Sequence, residues 1–130
     1  MDIFKKILPL IFVLIISVPV VYPLSRPGFF PMHDDTQPTR VAQMAKAIAD
    51  GQFPVRWVSD LGYGYGYPLF NFYAPLPYYV GAAAHLLGMN LISATKLMFG
   101  IGMLLAPITM YLLAASWWGK RGGLLSAILY

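Results

Sequence analysis

Apolar runs at 7–24, 73–89, 91–118 and 124–130 alternate with segments where polar residues, prolines and glycines gather. The first run, ILPLIFVLIISVPVVYPL, carries no charge and follows Lys5 and Lys6. As a helix rising 1.5 Å per residue it is roughly 27 Å long, enough for a bilayer core. A basic start also opens a cleaved signal peptide, but this run exceeds the usual length of such a core and lacks a small-x-small cleavage site. It is read as a retained span with a cytoplasmic N-terminus.

Residues 25–72 form one long mixed segment, placed outside by that orientation. Within it, TQPTRVAQMAKAIADG (36–51) predicts a helix over 37–50. Thr36 suits the N-cap, Pro38 the first turn, and Gly51 follows the end. Val41, Met44, Ala45 and Ile48 recur at i, i+3, i+4 and i+7 on one face, with Arg40, Gln43, Lys46 and Asp50 mostly on the other. Such an amphipathic helix lies in a membrane interface or packs on its neighbours. Next, Tyr63, Tyr65 and Tyr67 alternate with Gly62, Gly64 and Gly66, while Pro68, Pro75 and Pro77 exclude a continuous helix. Trp57, Phe70, Phe72, Tyr73, Tyr78 and Tyr79 crowd the same region. Two readings stand side by side: an aromatic belt at the membrane boundary, or a ring-lined groove for a sugar or lipid headgroup, where glycine lets backbone approach a ligand.

The second span is expected over 73–89, near the lower length limit. Gly88, Met89 and Asn90 predict a turn. A third span follows over 91–118, with Lys96 near its start and Trp117 and Trp118 at its far boundary. GKRGG (119–123) predicts a loop, and 124–130 the start of a fourth span. Three crossings from a cytoplasmic start put Lys120 and Arg121 outside, against the positive-inside tendency. If 73–89 does not cross, both fall inside. The chain stops seven residues into its last apolar run, which is the expectation for a fragment of a longer multi-pass protein.

Composition agrees. Of 130 residues, 58% are hydrophobic and 11% charged, against roughly 45–50% and 25% in soluble domains. Net charge is +4, from nine Lys and Arg against five acidic residues, all Asp. The basic residues are scattered rather than blocked, which excludes a nucleic-acid arm and fits lipid headgroups or a phosphate-bearing ligand. Cysteine is absent, so no disulfide or thiolate chemistry arises.

The candidate chemistry sits just past the first run, at His33, Asp34 and Asp35. A carboxylate there suits a general base, a divalent-cation ligand, or a hydrogen-bond acceptor for a sugar hydroxyl. It equally suits a charge favouring the start of the next helix, worth about 0.3–1 kcal/mol. No spacing of His or Cys makes a zinc cage, and no phosphate loop, dinucleotide fingerprint or serine elbow occurs. His85, inside AAAHLLG (82–88), reads as a packed or interhelical polar residue rather than a ligand.

The order of these features carries more than any one of them. A span is followed by the His33–Asp34 pair, then Arg40, then GQFPVRW (51–57), then GYGYGYPLFNFYAPLPYY (62–79). Over roughly residues 20–118 this resembles the N-terminal part of the membrane domain family called 6-pyruvoyl-tetrahydropterin-synthase-related. Nothing here has the character of a soluble pterin synthase. That family in turn resembles the GT-C membrane glycosyltransferases, among them oligosaccharyltransferases and protein O-mannosyltransferases. The resemblance implies an all-α, multi-pass membrane protein with a long external loop that carries an amphipathic helix. It implies a polyprenyl-phosphate-linked sugar as substrate and a divalent cation as candidate cofactor. By position Asp34, with Asp35 second, would be the catalytic carboxylate, and Asp34 the candidate metal ligand. Arg40 would pair with Asp34 or with the lipid phosphate. His33, Arg56, Trp57, Tyr65, Tyr67 and Tyr73 would line the substrate. GT-C enzymes have many more spans and a second acidic motif, so these 130 residues are expected to be inactive by themselves. The competing expectation is a non-catalytic small membrane protein, or part of a transporter or flippase, that binds lipid-linked glycan.

Overall fold

The computed structural model describes residues 2–29 and 34–130, and of residues 2–6 the backbone alone. In chain order the elements are α1 (Asp2–Val21), a 3-10 turn (Tyr22–Ser25), α2 (Gln37–Ala49), α3 (Leu69–Phe72), α4 (Leu76–Leu86) and α5 (Leu91–Leu129). Among the described residues there is no strand, only one isolated antiparallel bridge, Val58 with Tyr67. The chain divides into two units, Gly28–Phe99 and Met1–Pro27 with Gly100–Tyr130.

The second of these units is built from apolar helix surface. Two helical stretches, Ile7–Ser25 and Leu91–Leu129, are long and apolar enough to cross a membrane. On α1 the buried positions are Val13 and Ser17, one turn apart, while Leu8, Ile11, Phe12, Leu14, Ile15, Val18 and Val20 are all exposed. A helix apolar on nearly every side, with one narrow packed stripe, is shaped for a lipid environment rather than for water. Several hydroxyls in these helices are satisfied along their own backbone. Ser17 Oγ donates to the Val13 carbonyl at 2.8 Å, and Thr109 Oγ1 to those of Leu105 and Ala106 at 2.9 Å.

Helix α5 does not run straight. At Gly119 the backbone takes φ 70° and ψ −179°, a region open to glycine alone. Beyond it the chain folds back. Ala127 packs with Tyr111 and Val13 in one cluster, joined by Leu10, Ile108, Ala115 and Leu124. In a straight helix residues 111 and 127 would lie about 24 Å apart. A side chain on Gly123 would meet the Ala115 Cβ at 2.7 Å and the Tyr111 carbonyl oxygen at 2.9 Å, so the two arms approach backbone to backbone. The loop expected over 119–123 is thus reduced to a reversal at one glycine, and 120–129 is already helical. Helix α1 runs antiparallel to the first arm. A Cβ on Gly100 would lie 3.6 Å from Leu24, and Val13 packs with Tyr111.

The unit Gly28–Phe99 has its own core. Val41, Met44 and Ala82 are fully buried there, with Val55, Val58, Leu69, Phe70, Tyr78 and Met98 around them. The apolar face read for α2 is the packed face, Ile48 lying at its edge. Helix α2 meets α4 closely, since a Cβ on Gly81 would come within 2.9 Å of Val41 Cγ2. Gln43, expected on the polar side, is buried as well. The span expected over 73–89 is instead the short helix α4, preceded by the single turn α3. At 1.5 Å per residue α4 covers roughly 16 Å, about half a bilayer core. Pro75 and Pro77 set its start, and Gly88 at φ 101° stops the chain just past its end.

Candidate functional site

Asp34 opens α2 in a way the sequence did not reveal. Thr36 does not cap the helix through its side chain. The backbone N–H of Thr36 donates to Asp34 Oδ1 at 3.2 Å, and its hydroxyl donates to the same oxygen. Asp34 therefore closes a local turn leading into the helix. Its other oxygen, Oδ2, takes the Arg40 guanidinium at 2.7 Å and the Gln37 amide at 3.4 Å.

Arg40 is in turn held from α4 and the segment before it. Nη2 donates to the Tyr73 hydroxyl at 3.3 Å and Nη1 to the Tyr78 hydroxyl at 3.5 Å. The guanidinium lies 4.2 Å from the Tyr73 ring centroid, within cation–π range. Tyr78 donates to Gln37 Oε1 at 2.8 Å, which closes a circuit of Asp34, Gln37, Tyr78 and Arg40. The Arg40 side chain is 11% exposed and that of Asp34 34%, so the pair is sheltered yet open on the carboxylate side. The Thr36 hydrogen bonds lead in holding the Asp34 carboxyl below its ordinary value, with Arg40 adding to them.

Of the residues expected to act together, the structure joins Asp34, Arg40 and Tyr73. Gln37 and Tyr78 complete the group and were not foreseen. The local signal for Gln37 was its place three residues after Asp34, whose carboxylate its amide reaches. Asp35 is exposed and has no partner among the described residues. His33 lies outside the described residues. Arg56, Trp57, Tyr65 and Tyr67 belong to a second group. Arg56 donates to Asn71 Oδ1 at 3.1 Å, and the backbone N–H groups of Arg56 and Trp57 both reach Gln52 Oε1, at 2.9 and 3.2 Å. Trp57 covers Gly66, where any Cβ would lie 2.3 Å from the indole nitrogen. That contact, with φ 85°, explains the glycine there. Tyr67 is fixed by the bridge to Val58, while Tyr63 and Tyr65 project from the glycine-rich tip almost fully exposed. His85 makes no ligand group; its Nδ1 meets the Met89 carbonyl at 2.8 Å and ties off the end of α4.

No family model, curated protein or solved structure matches this chain.

The donors around Asp34 do not fit a divalent cation. Both carboxylate oxygens are engaged, one of them by a guanidinium that already balances the charge. Among the described residues no three His or Asp side chains gather. What the arrangement offers is an ionised carboxylate beside a fixed cation, with two tyrosine hydroxyls. It can accept a proton, and it can present a guanidinium fork to a phosphate.

A second ion pair locks the aromatic segment to α2. Lys46 donates to Asp60 Oδ1, Gln43 Nε2 donates to Oδ2 at 3.1 Å, and Ser59 Oγ donates to Oδ1 at 3.0 Å. Lys46 first, then Gln43 and Ser59, bring the Asp60 carboxyl down to about 2. An unfolded aspartate titrates near ~3.9. Between those values the unfolded chain binds more protons, so the clamp adds stability above pH about 4 and loses it as pH falls toward about 2. Asp34 contributes with the same sign. Acid titration followed by amide NMR should show residues 58–67 losing their contacts with α2 in that window. In Asp60→Asn the step at that locus should be missing; an unchanged transition would show that the clamp does not hold the loop.

Proposed function

We propose that this chain is the N-terminal part of a multi-pass, GT-C-like membrane glycosyltransferase that uses a polyprenyl-phosphate-linked sugar. The observation that carries the reading is the placement of Asp34. It lies shortly beyond the first apolar helix and is oriented by Arg40, which two tyrosines more than thirty positions away grip from the other side. An oriented carboxylate that follows a membrane helix closely in the chain suits acid–base chemistry on a lipid-borne substrate. In this reading Asp34 takes the proton from the acceptor hydroxyl, and Arg40 steadies it or the phosphate of the leaving lipid. Arg56 and Trp57 supply a donor and a ring face for the sugar, with Tyr67 beside them.

The membrane placement follows from the same helices. Helix α1 and the first arm of α5 are antiparallel, Leu24 beside Gly100 and Val13 beside Tyr111. Extending that register brings residues 5 and 6 level with 119 and 118. Residues 5 and 6 then share one end with Lys120 and Arg121, which supports a cytoplasmic assignment for that end. With 73–89 not crossing, the conflict in the charge pattern disappears.

A second reading draws on a specific observation. The Asp34 carboxylate is already neutralised by Arg40 and titrates low, which makes it a weak base. A non-catalytic binder of lipid-linked glycan, in which Arg40 exchanges Asp34 for the lipid phosphate, uses the same geometry. Membranes carrying the full gene product, given a radiolabelled polyprenyl-phosphate sugar, separate the two. The transferase releases label from the lipid phase in proportion to the protein. A binder leaves the label on lipid but is tagged by a photoreactive donor analogue. Neither release nor tagging would sink both readings.

A further inference from the structure

We propose that the closed end of the α5 hairpin, residues 117–121, is an anchor for anionic phospholipid headgroups. The proposal rests on the membrane placement above but not on sugar transfer. The reversal at Gly119 leaves Lys120 and Arg121 exposed at the tip of two apolar arms. Trp117 and Trp118 sit immediately before the turn, 67% and 66% exposed, packed edge to face with ring centroids 5.4 Å apart. Indoles at this position take up the headgroup level of a bilayer, so the two cations are delivered to the depth of lipid phosphates.

The antiparallel register of α1 brings its N-terminal backbone to the same end. Lys120 and Arg121, both exposed, give this end a positive charge. An anionic surface complements it; a neutral one does not. The hairpin also explains why the charges are not spread over a loop. Gly122 and Gly123 lie against the first arm, where a Cβ on Gly122 would come within 2.5 Å of Trp118 Cβ. The return arm therefore starts at once, and Lys120 and Arg121 are pinned to the apex. Near an anionic leaflet each such cation contributes roughly fivefold to association.

The test uses the whole chain in vesicles of phosphatidylcholine with one third phosphatidylglycerol. Trp57→Phe leaves Trp117 and Trp118 as the only indoles of the three. Brominated phosphatidylglycerol should quench their fluorescence at a several-fold lower mole fraction than brominated phosphatidylcholine. The preference should vanish as salt rises toward 1 M, and should shrink at least fivefold in Lys120→Gln/Arg121→Gln. Equal quenching by the two lipids, or a preference that survives high salt, overturns the proposal without any variant having to fold. So does a preference unchanged in the double variant, or one abolished by millimolar inorganic phosphate at constant ionic strength. Quenching by neither lipid overturns the membrane placement itself and is a distinct result.

Discussion

Asp34→Asn is expected to lower transfer from a polyprenyl-phosphate sugar by about 10² to 10⁴-fold in the full gene product, the range for losing a positioned acid–base group. The side chain keeps its size, so insertion and the packing of α2 on α4 should not change. What disappears is the negative charge facing Arg40 at 2.7 Å and the capacity to take a proton. A merely positioning role for Asp34 makes different demands. If Asp34 only aims Arg40 at a phosphate, the loss should lie in KM, the acid limb of the pH profile should stay, and Asp34→Glu should restore most of the activity. If Asp34 is the base, the loss lies in kcat and the acid limb goes with it. Arg40→Lys gives the complementary cut. A lysine cannot fork between Asp34, Tyr73 and Tyr78 or stack on the Tyr73 ring, so this variant should weaken donor binding in both readings. The binder predicts one result of opposite sign. Freed from Asp34, Arg40 should hold a lipid phosphate more tightly in Asp34→Asn than in the parent. Transfer at the parental rate by Asp34→Asn would end the catalytic assignment.

The parts of the fold legible in the sequence were those set by local periodicity. The face Val41, Met44, Ala45 and Ile48 announced α2 and its packed side, because one apolar stripe at helical spacing has one economical solution. The uncharged run after Lys6 announced α1 in the same way. The polar residues were less legible, because a partner fixed by tertiary contact leaves no local trace. Gln43 and Lys46 look like a solvated helix face until Asp60 arrives from the aromatic loop. Tyr78 looks like one more ring in an aromatic belt until its hydroxyl closes the circuit around Arg40. At the candidate site the pairing of Asp34 with Arg40, which the resemblance implied, is present at 2.7 Å. The site's walls were not found, and the residues expected to line it divide between two groups that share no hydrogen bond among the described residues. The expected second span fared differently. The stretch 73–89 is apolar, but two prolines and Gly88 confine its helix to eleven residues. Composition measures burial, whereas crossing requires length.

The hairpin at Gly119 gives the other large effect, and it is a change of shape. Gly119→Val should open the reversal and move Ala127 away from Tyr111. With φ 70° and ψ −179°, this backbone is open to glycine, while a β-branched residue there costs about 1–3 kcal/mol of strain and favours regular helix. The return arm offers little to resist that cost. Its contact with the first arm rests on Ala127, Leu124 and the close approach at Gly123, and in lipid such a seam is held by small-residue packing without a hydrophobic drive. Spin labels introduced at exposed neighbours, residues 112 and 128, should report a short distance in the parent. In Gly119→Val the distance should lengthen toward the ~24 Å that sixteen residues of straight helix span. Gly123→Leu should open the same seam by a different route, since its side chain collides with Ala115 and the Tyr111 carbonyl while Gly119 is untouched. Both variants lengthening the distance assigns the reversal to the packed hairpin. Lengthening in Gly119→Val alone assigns it to the turn, and a parental distance in both would mean that neither glycine holds the arms together.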